Sequence, residues 1–585
     1  MAKTIIKNGV AIIPEGRTKI FRNTIHGNYH TVIIPSTVTH IEPNAFEYGT
    51  SLASIIIPAN VVSIGYRAFS ECRALKTVTF LGKTNIDYCA FSGCVSLQEV
   101  IFADHGSGCV HIGSEAFKEC RSLKELIIPQ NINSISCNAF IDCPSLSSIT
   151  VEPGNPVYDS REKCNAIIET STNTLFLGCQ NTKIPNSVTR IGENAFFGCT
   201  GFKKFNIPNS ITSIDKYAFS DCTNLTELVL SNSITSIGER AFSNCSSLIN
   251  IVIPNRVSCI EIYAFSNCTS LIEIAIPDSI TTITNGTFYE CSSLEKVLLP
   301  NTITHIEEYA FSRCTSLANI SLPDSVQEIG VGAFSSCTSL ERMVIPNGVD
   351  TIADSVFEFC DSLEEVVIPS KVTCIGANAF FRCTSLTNLF IPRNVTSICQ
   401  LAFYDCSSLQ SIVIEEGNPV YDSRDNCNAI IHSTFNTLLF GCNNTVIPED
   451  VTAISDYAFG CCPSLSETEI MDSHVSCIGE YNFFCCSSLK TIIFPRTLKK
   501  VKRYAFSSCE NLETIVFLSN AAVQINSGAF EHCNNLSSVV VPLGKRTIYQ
   551  QRLPEELYDK IIEMPYRRLD CVNVSSYLEY LRNII

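Results

Sequence analysis

AFSNCTSLIEIAIPDSITTI, Ala264–Ile283, holds a cysteine three places after a phenylalanine, then an alternating apolar run stopped by proline. Cys268 in this stretch has three readings: nucleophile, metal ligand or part of a wall. The rest of the chain decides between them, because nearly the same text returns at a fixed interval. Rows closing on the phenylalanine number nineteen, from Phe46 to Phe530, and from Phe196 to Phe403 every step is 23 residues. A cysteine stands three places after the phenylalanine in eighteen of the nineteen rows, Gly49 being the exception. A catalytic thiol needs one activating base and one access route, so a site written eighteen times without a companion histidine makes poor chemistry. Free cysteine packs as a small, soft hydrophobe, and the column including Cys222, Cys245, Cys268, Cys291, Cys314 and Cys337 is expected to form a buried structural ladder.

Within a row, Ile274 and Ile276 alternate with Glu273 and Ala275, the period of a strand buried on one face, and Pro277 ends it. Ile280 and Ile283 supply a second short inward pair, and the segment Asn285–Cys291 is expected to make a helical turn carrying Phe288 inward. A coil of this size cannot bury its own apolar face, whereas stacked coils share one core, which explains the strict period. The fold expected is a repeat solenoid, a right-handed β-rich superhelix of about 20 coils with short strands, helical turns and a small helical C-terminal cap.

The rows SLIEIAIPDSITTI and SLTNLFIPRNVTSI, each followed by Phe-x-x-Cys, resemble the leucine-rich repeats of the BspA-like class, from about Pro14 to Pro542. The resemblance implies a leucine-rich-repeat solenoid with parallel strands on one face. It further implies, from bacterial members, surface proteins that adhere to host proteins or other cells, and no catalysis.

Residues 1–25 are expected to form an N-terminal cap and degenerate first coil, with Ile25 in the place of the phenylalanine. Leucine-rich repeats are expected over 26–150, 187–413 and 450–541, and a C-terminal helical cap and tail over 542–585. In that cap Pro554 suits a helix start with Leu557 and Ile561 on one side, and Tyr577, Leu578, Leu581 and Ile585 share a face of a further amphipathic helix. Two interruptions, 151–186 and 414–449, repeat the text GNPVYDSR at Gly154 and Gly417, and read as hairpin-like inserts or variant coils. Tyr158, Asp159 and Arg161, with Tyr421, Asp422 and Arg424, are expected to form turn networks that splice coils together. Cys164 with Cys179, and Cys427 with Cys442, bracket the two inserts at equal spacing, as buried thiols or as bridges in an oxidising compartment.

With 41 basic against 57 acidic residues the formal charge is −16, which repels phosphate backbones and excludes nucleic acid as the expected partner. No apolar run reaches 18 residues, so no membrane insertion is expected. The opening MAKTIIKNGVAIIPEG lacks a signal peptide's continuous apolar core and by itself predicts the cytoplasm, whereas the family resemblance implies the cell surface or secretion. No phosphate loop, HExxH or GxSxG motif occurs, and neither a cofactor nor a metal site is expected.

Two functions follow. The first is a non-enzymatic protein-binding scaffold, adhesin-like, using the outer strand face. There the polar column Glu273, Lys296, Arg342 and Glu365 runs beside the apolar column Leu298, Val344, Val367 and Phe390, and these eight are the candidate partner-binding residues. The partner expected is a protein, a host or cell-surface protein by the resemblance. The alternative is an enzyme or metal-dependent protein with a site at the irregular stretch Asp104–His111, where Cys109 lies among Asp104, His105 and His111.

Overall fold

The computed structural model describes residues 4–22, 24, 25, 27–103, 111–465, 467, 468, 473–521 and 523–564. It is a β-solenoid of about 23 turns whose regular structure is nearly all strand. Two compact units divide the chain, Met1–Thr302 and Ile303–Ile585. In the first unit the strand Glu273–Ala275 points Ile274 into the core and its two neighbours to solvent, as the alternation predicts. It pairs in parallel with Lys296–Leu298, Glu273 opposite Lys296 and Ala275 opposite Leu298, a shift of one 23-residue row. The short strand Thr282–Ile283 turns Ile283 inward, after a tight turn closed by the Ile280 amide on the Pro277 carbonyl at 3.0 Å. The second unit repeats the arrangement, Arg342 opposite Glu365 and Val344 opposite Val367.

The segment around each phenylalanine is tighter than a helix. Its amides divide between two tasks. The Ser266 and Cys268 amides close local turns on the carbonyls of Tyr263 and Phe265, at 3.1 and 3.3 Å. The Tyr263, Phe265 and Asn267 amides reach instead to the next coil, to the carbonyls of Asn285, Thr287 and Tyr289 at 2.9, 3.0 and 2.7 Å. This alternation requires left-handed backbone two places before and two places after the phenylalanine, and Tyr263 and Asn267 have φ of 56° and 58°. The same columns are positive at Ser355 and Phe359 in the second unit, with φ of 54° and 59°. Each such residue costs about 1–2 kcal/mol outside glycine, a cost that the local turn bonds and the bonds to the neighbouring coil offset.

The phenylalanine rings and cysteine thiols line this turn on the inside. In the first unit Phe219, Phe242 and Phe265 stack with centroids 5.5 and 5.3 Å apart, and in the second Phe334, Phe357 and Phe380 do so at 5.9 and 5.4 Å. In the regular coils the thiol donates to the phenylalanine carbonyl of the coil before it: Cys245 to Phe219, Cys268 to Phe242 and Cys291 to Phe265, all at 3.2 Å, as does Cys360 to Phe334. That carbonyl also accepts the amide of its own row's cysteine, as in Cys245 to Phe242, so the thiol occupies its second lone pair. Gly49 departs from the column because the stack ends there. A Cβ on Gly49 would lie 3.0 Å from the Phe46 carbonyl and 3.6 Å from the Tyr29 hydroxyl, which closes that end.

The inserts are hairpins built into the stack. Ala166–Glu169 and Thr174–Gly178 pair antiparallel, and Thr174–Gly178 then pairs in parallel with Arg190–Ile191 of the next coil. Ala429–His432, Thr437–Gly441 and Ala453–Ile454 repeat this in the second unit. The glycines are needed for close approach, since a Cβ on Gly178 or Gly441 would meet the ring of Phe196 or Phe459 at 2.1 Å.

At the N-terminus Val10–Ile12 and Lys19–Ile20 follow the coil pattern, and the antiparallel strand Ile5–Lys7 covers the outer edge. The C-terminal cap holds a helix, Arg546–Gln550, and a 3-10 turn, Glu555–Lys560, with Leu557 buried. Ile561 does not extend that turn. It begins a strand, Ile561–Met564, parallel to Ser538–Pro542, because the last sheet still has an open edge to fill. The expected helix through Tyr577, Leu578, Leu581 and Ile585 lies outside the described residues.

Replacing Cys268 with Ala should remove the thiol bond and leave a small cavity, costing about 1–2 kcal/mol in urea unfolding. Cys268→Asp should prevent cooperative folding by burying an unpaired charge.

Candidate functional site

The outer strand face is built from every second residue of each long strand. In the first unit the carboxylate of Glu273 and the amine of Lys296 lie 3.5 Å apart on adjacent strands, and Glu227 pairs in the same way with Lys204. In the second unit Arg342 and Glu365 pair at 2.9 Å. All of these groups are exposed, so each pair contributes under about 1 kcal/mol to stability, yet the pairing leaves the polar column largely self-neutralised.

Beside it runs the apolar column. Leu298 in the first unit is 51 % exposed, and Val344, Val367 and Phe390 in the second are 47, 39 and 50 % exposed. Phe390 lies opposite Val413, which continues the column for another strand. The backbone beneath is already committed, with the Ile276 amide on the Leu298 carbonyl and the Ile345 amide on that of Val367, at 2.9 and 3.1 Å. An added strand therefore has no main-chain partner on this face, and recognition falls to the side chains.

The insert residues hold their own loops. The Arg161 guanidinium binds the Asp159 carboxylate at 2.6 Å and the Asn173 side chain at 2.9 Å, while the Tyr158 hydroxyl accepts the Ile135 amide at 3.2 Å. Arg424 repeats this with Asp422 and Asn436 and adds Asp450. Asn155 and Asn418, which the sequence reading passed over, organise both turns by accepting two amides each. The Cys164 and Cys179 thiols face different carbonyls, those of Ala166 and Asn165.

Of the irregular stretch, residues 104–110, with Cys109, lie outside the described residues. His111 opens a short strand, its Nδ1 2.9 Å from the Ser134 hydroxyl. Among the described residues no group of three or more His, Cys, Asp or Glu is placed to hold a metal ion, and no helix is long and apolar enough to cross a membrane. Cys461 and Cys485 are half-buried on neighbouring coils, and the Cys461 thiol donates to the Tyr404 hydroxyl at 3.7 Å.

Burial pushes the ladder thiols Cys72, Cys143, Cys291 and Cys337 up to about 12 from the ordinary 9.0, while at the end of the ladder the hydrogen bond with Cys509 lowers Cys533. The raised thiols are poor nucleophiles at neutral pH.

A family model described as a BspA type leucine rich repeat region matches residues 39–161, 169–295, 281–410 and 428–553. Solved structures similar to the chain include a leucine-rich repeat protein from Bacteroides ovatus ATCC 8483, 26 % identical, TM-score 0.45, covering 71 % of this chain and 99 % of that one. Another, from Eubacterium ventriosum ATCC 27560, is 18 % identical with TM-score 0.43, over 65 % of this chain and 92 % of that one. A leucine rich cell surface protein from Faecalibacterium prausnitzii A2-165 is 24 % identical with TM-score 0.32, over 62 % and 92 %. No curated protein matches the chain.

Two outcomes check the inert ladder. Alkylation of the native protein should modify exposed Cys259 before Cys268, and rapid labelling of Cys268 would contradict the geometry. Unfolded thiols lose their protons near pH 9 and folded ladder thiols near pH 12, so stability is full below 9 and falls as pH rises towards 12. The slope is about 1.4 kcal/mol per pH unit for each thiol, read from urea unfolding against pH.

Proposed function

Since the chain belongs to the BspA-type leucine-rich-repeat family, we propose that it is a non-enzymatic protein-binding scaffold whose outer strand face seats a protein partner. One observation carries this reading: an apolar column left open beside self-paired charges, over a backbone with no free hydrogen-bonding edge. Soluble proteins rarely leave contiguous apolar patches of this kind uncovered, and such patches mark interaction surfaces. Each unit carries its own patch, around Leu298 with Val229 and Val252 in the first, and around Val344, Val367 and Phe390 in the second. The paired charges flanking each patch set register and exclude mismatched partners more than they add affinity.

An adhesin-like role at the cell surface is the finer form of the same reading, and family membership supports it. Protease added to intact producing cells should then degrade the protein, and full protection with intact cells would overturn surface display.

The triple variant Val344→Thr, Val367→Thr, Phe390→Ser should keep the circular dichroism and melting temperature of the parent, because these side chains face away from the core. It should weaken binding of the native partner by about 3 kcal/mol, roughly a hundredfold, if each side chain contributes about 1 kcal/mol on burial. Leu298→Thr with Val252→Thr tests the first unit separately. Unchanged affinity in both folded variants would remove the outer face as the binding site.

A further inference from the structure

The left-handed column two places after each phenylalanine is polar, charged or glycine in most rows, as at Glu290, Arg313 and Asp405. In two consecutive rows of the second unit it holds cysteine instead: Cys461 follows Phe459, and Cys485 follows Phe483. Neither belongs to the ladder, whose members in these rows, Cys462 and Cys486, are buried. Cys461 and Cys485 are half-buried and reachable from solvent. No other two rows place neighbouring cysteines in this column.

The backbone sets the two side chains beside each other. Their φ angles are 60° and 58°, so both leave like turns in the same direction. The Cys461 amide donates to the Phe484 carbonyl at 2.7 Å and the Cys485 amide to the Ser507 carbonyl at 3.1 Å, while the rings of Phe459 and Phe483 stack 5.0 Å apart. Coils stacked at the parallel-strand spacing of about 4.8 Å fall within the about 4.4–6.8 Å between Cα atoms that a disulfide spans. The Cys461 thiol donates to the Tyr404 hydroxyl of the coil before it at 3.7 Å. Burial and the Asp405 carboxylate push the Cys485 thiol up, and the adjacent Cys461 thiol pulls it back.

We propose that Cys461 and Cys485 form a thiol-oxidation site, which a low-molecular-weight disulfide converts into a covalent staple between adjacent coils. The thiolate of one cysteine attacks a sulfur of the oxidant, whose S–S bond breaks and releases one small thiol. The thiolate of the other then attacks the protein-bound sulfur, forming the Cys461–Cys485 bond and releasing the second small thiol. Two protein thiols are oxidised, one small disulfide is reduced to two thiols, and both protein protons end on the leaving groups. The bond fastens the first coil after the second insert, which carries Ala453–Ile454, to the coil that follows. Because a solenoid's stability is a sum over neighbouring coils, one staple at this junction strengthens the stack locally and reversibly. The proposal stands independently of what the outer strand face binds.

The test treats the native, reduced full chain with oxidised glutathione, blocks the remaining thiols with N-ethylmaleimide and maps the products by mass spectrometry. Exposed Cys259, with Ser236 opposite it on the adjacent strand, is the single-thiol comparison. The expected result is a Cys461–Cys485 crosslink, lighter by two hydrogens than the reduced pair, with glutathione retained at Cys259. The urea midpoint of the crosslinked chain should exceed that of Cys461→Ser treated in the same way, in which glutathione should stay on Cys485. Glutathione retained at Cys461 or Cys485 of the parent, a bond joining Cys461 to Cys462 or Cys485 to Cys486, or two unmodified thiols would each overturn the site, and an unchanged midpoint would overturn the staple. Should Cys461→Ser not fold, the reduced parent gives the midpoint reference, and phenylarsine oxide, which bridges two thiols within reach, should bind across Cys461 and Cys485 of the native chain; its failure to do so would equally overturn the proposal.

Discussion

The turn around the phenylalanine column ties each coil to the next. Left-handed residues on both sides of Phe265 place three amides on one edge, facing away from the coil that contains them, and their acceptors are the carbonyls of Asn285, Thr287 and Tyr289. Those acceptors offset the strain of the left-handed backbone, which is also retained at Leu401 and Asp405 before the second insert. The coil is thus a unit of geometry and not of stability, as expected where nearest neighbours carry the folding energy. The step is 23 residues throughout Phe196 to Phe403, but the register belongs to the turn and not to the step: Phe69 and Phe91, 22 residues apart, and Phe459 and Phe483, 24 apart, still stack, and Cys94 and Cys486 still reach the preceding phenylalanine carbonyls. At the two 56-residue steps, Phe140 to Phe196 and Phe403 to Phe459, a hairpin with its own hydrogen bonds and a glycine pressed against the next ring is built in.

The same constraint sorts residues by role. Inward positions are held by ring stacking and by thiols that fill the second lone pair of the phenylalanine carbonyl, so the most frequent reactive group in the chain is spent on structure. Main-chain groups of the long strands are consumed by the ladder. Outward side chains remain free to vary without disturbing either, and there Glu273, Lys296, Arg342, Val344 and Phe390 differ from coil to coil while Ile274 and Leu271 keep their kind. A surface of this type offers recognition by side-chain pattern over a wide area, with no single deep cleft for chemistry.

Much of this was legible in the sequence because burial repeats. The period, the inward isoleucines, the phenylalanine column and the buried cysteines all follow from apolar positions recurring at one interval. The partner of the cysteine was not legible, since packing alone explains a small buried residue and the carbonyl it caps belongs to another coil. Nor was the left-handed backbone, because Tyr263, Arg240, Ser355 and Phe359 carry no sign of it; scattered glycines and asparagines in the same two columns, such as Gly93, Gly286, Gly332, Asn194, Asn244 and Asn378, hint at φ above zero. The outer face was read correctly as exposed around Leu298 and Val367, but its closure at Val516 and Val540 could not be read from strands of the same alternation. The boundary between units, at Thr302, falls inside an unbroken run of identical steps and leaves no trace in composition.

Ladder thiols donate hydrogen bonds across coils to phenylalanine carbonyls, as Cys268 does to Phe242 and Cys360 to Phe334. The S–H stretching band in the Raman spectrum reports this directly, since donation lowers its frequency. The folded protein should show its main S–H band below that of the urea-unfolded chain, with Cys268→Ala reducing the low-frequency component. A folded protein whose S–H band coincides with that of the unfolded chain would contradict the ladder.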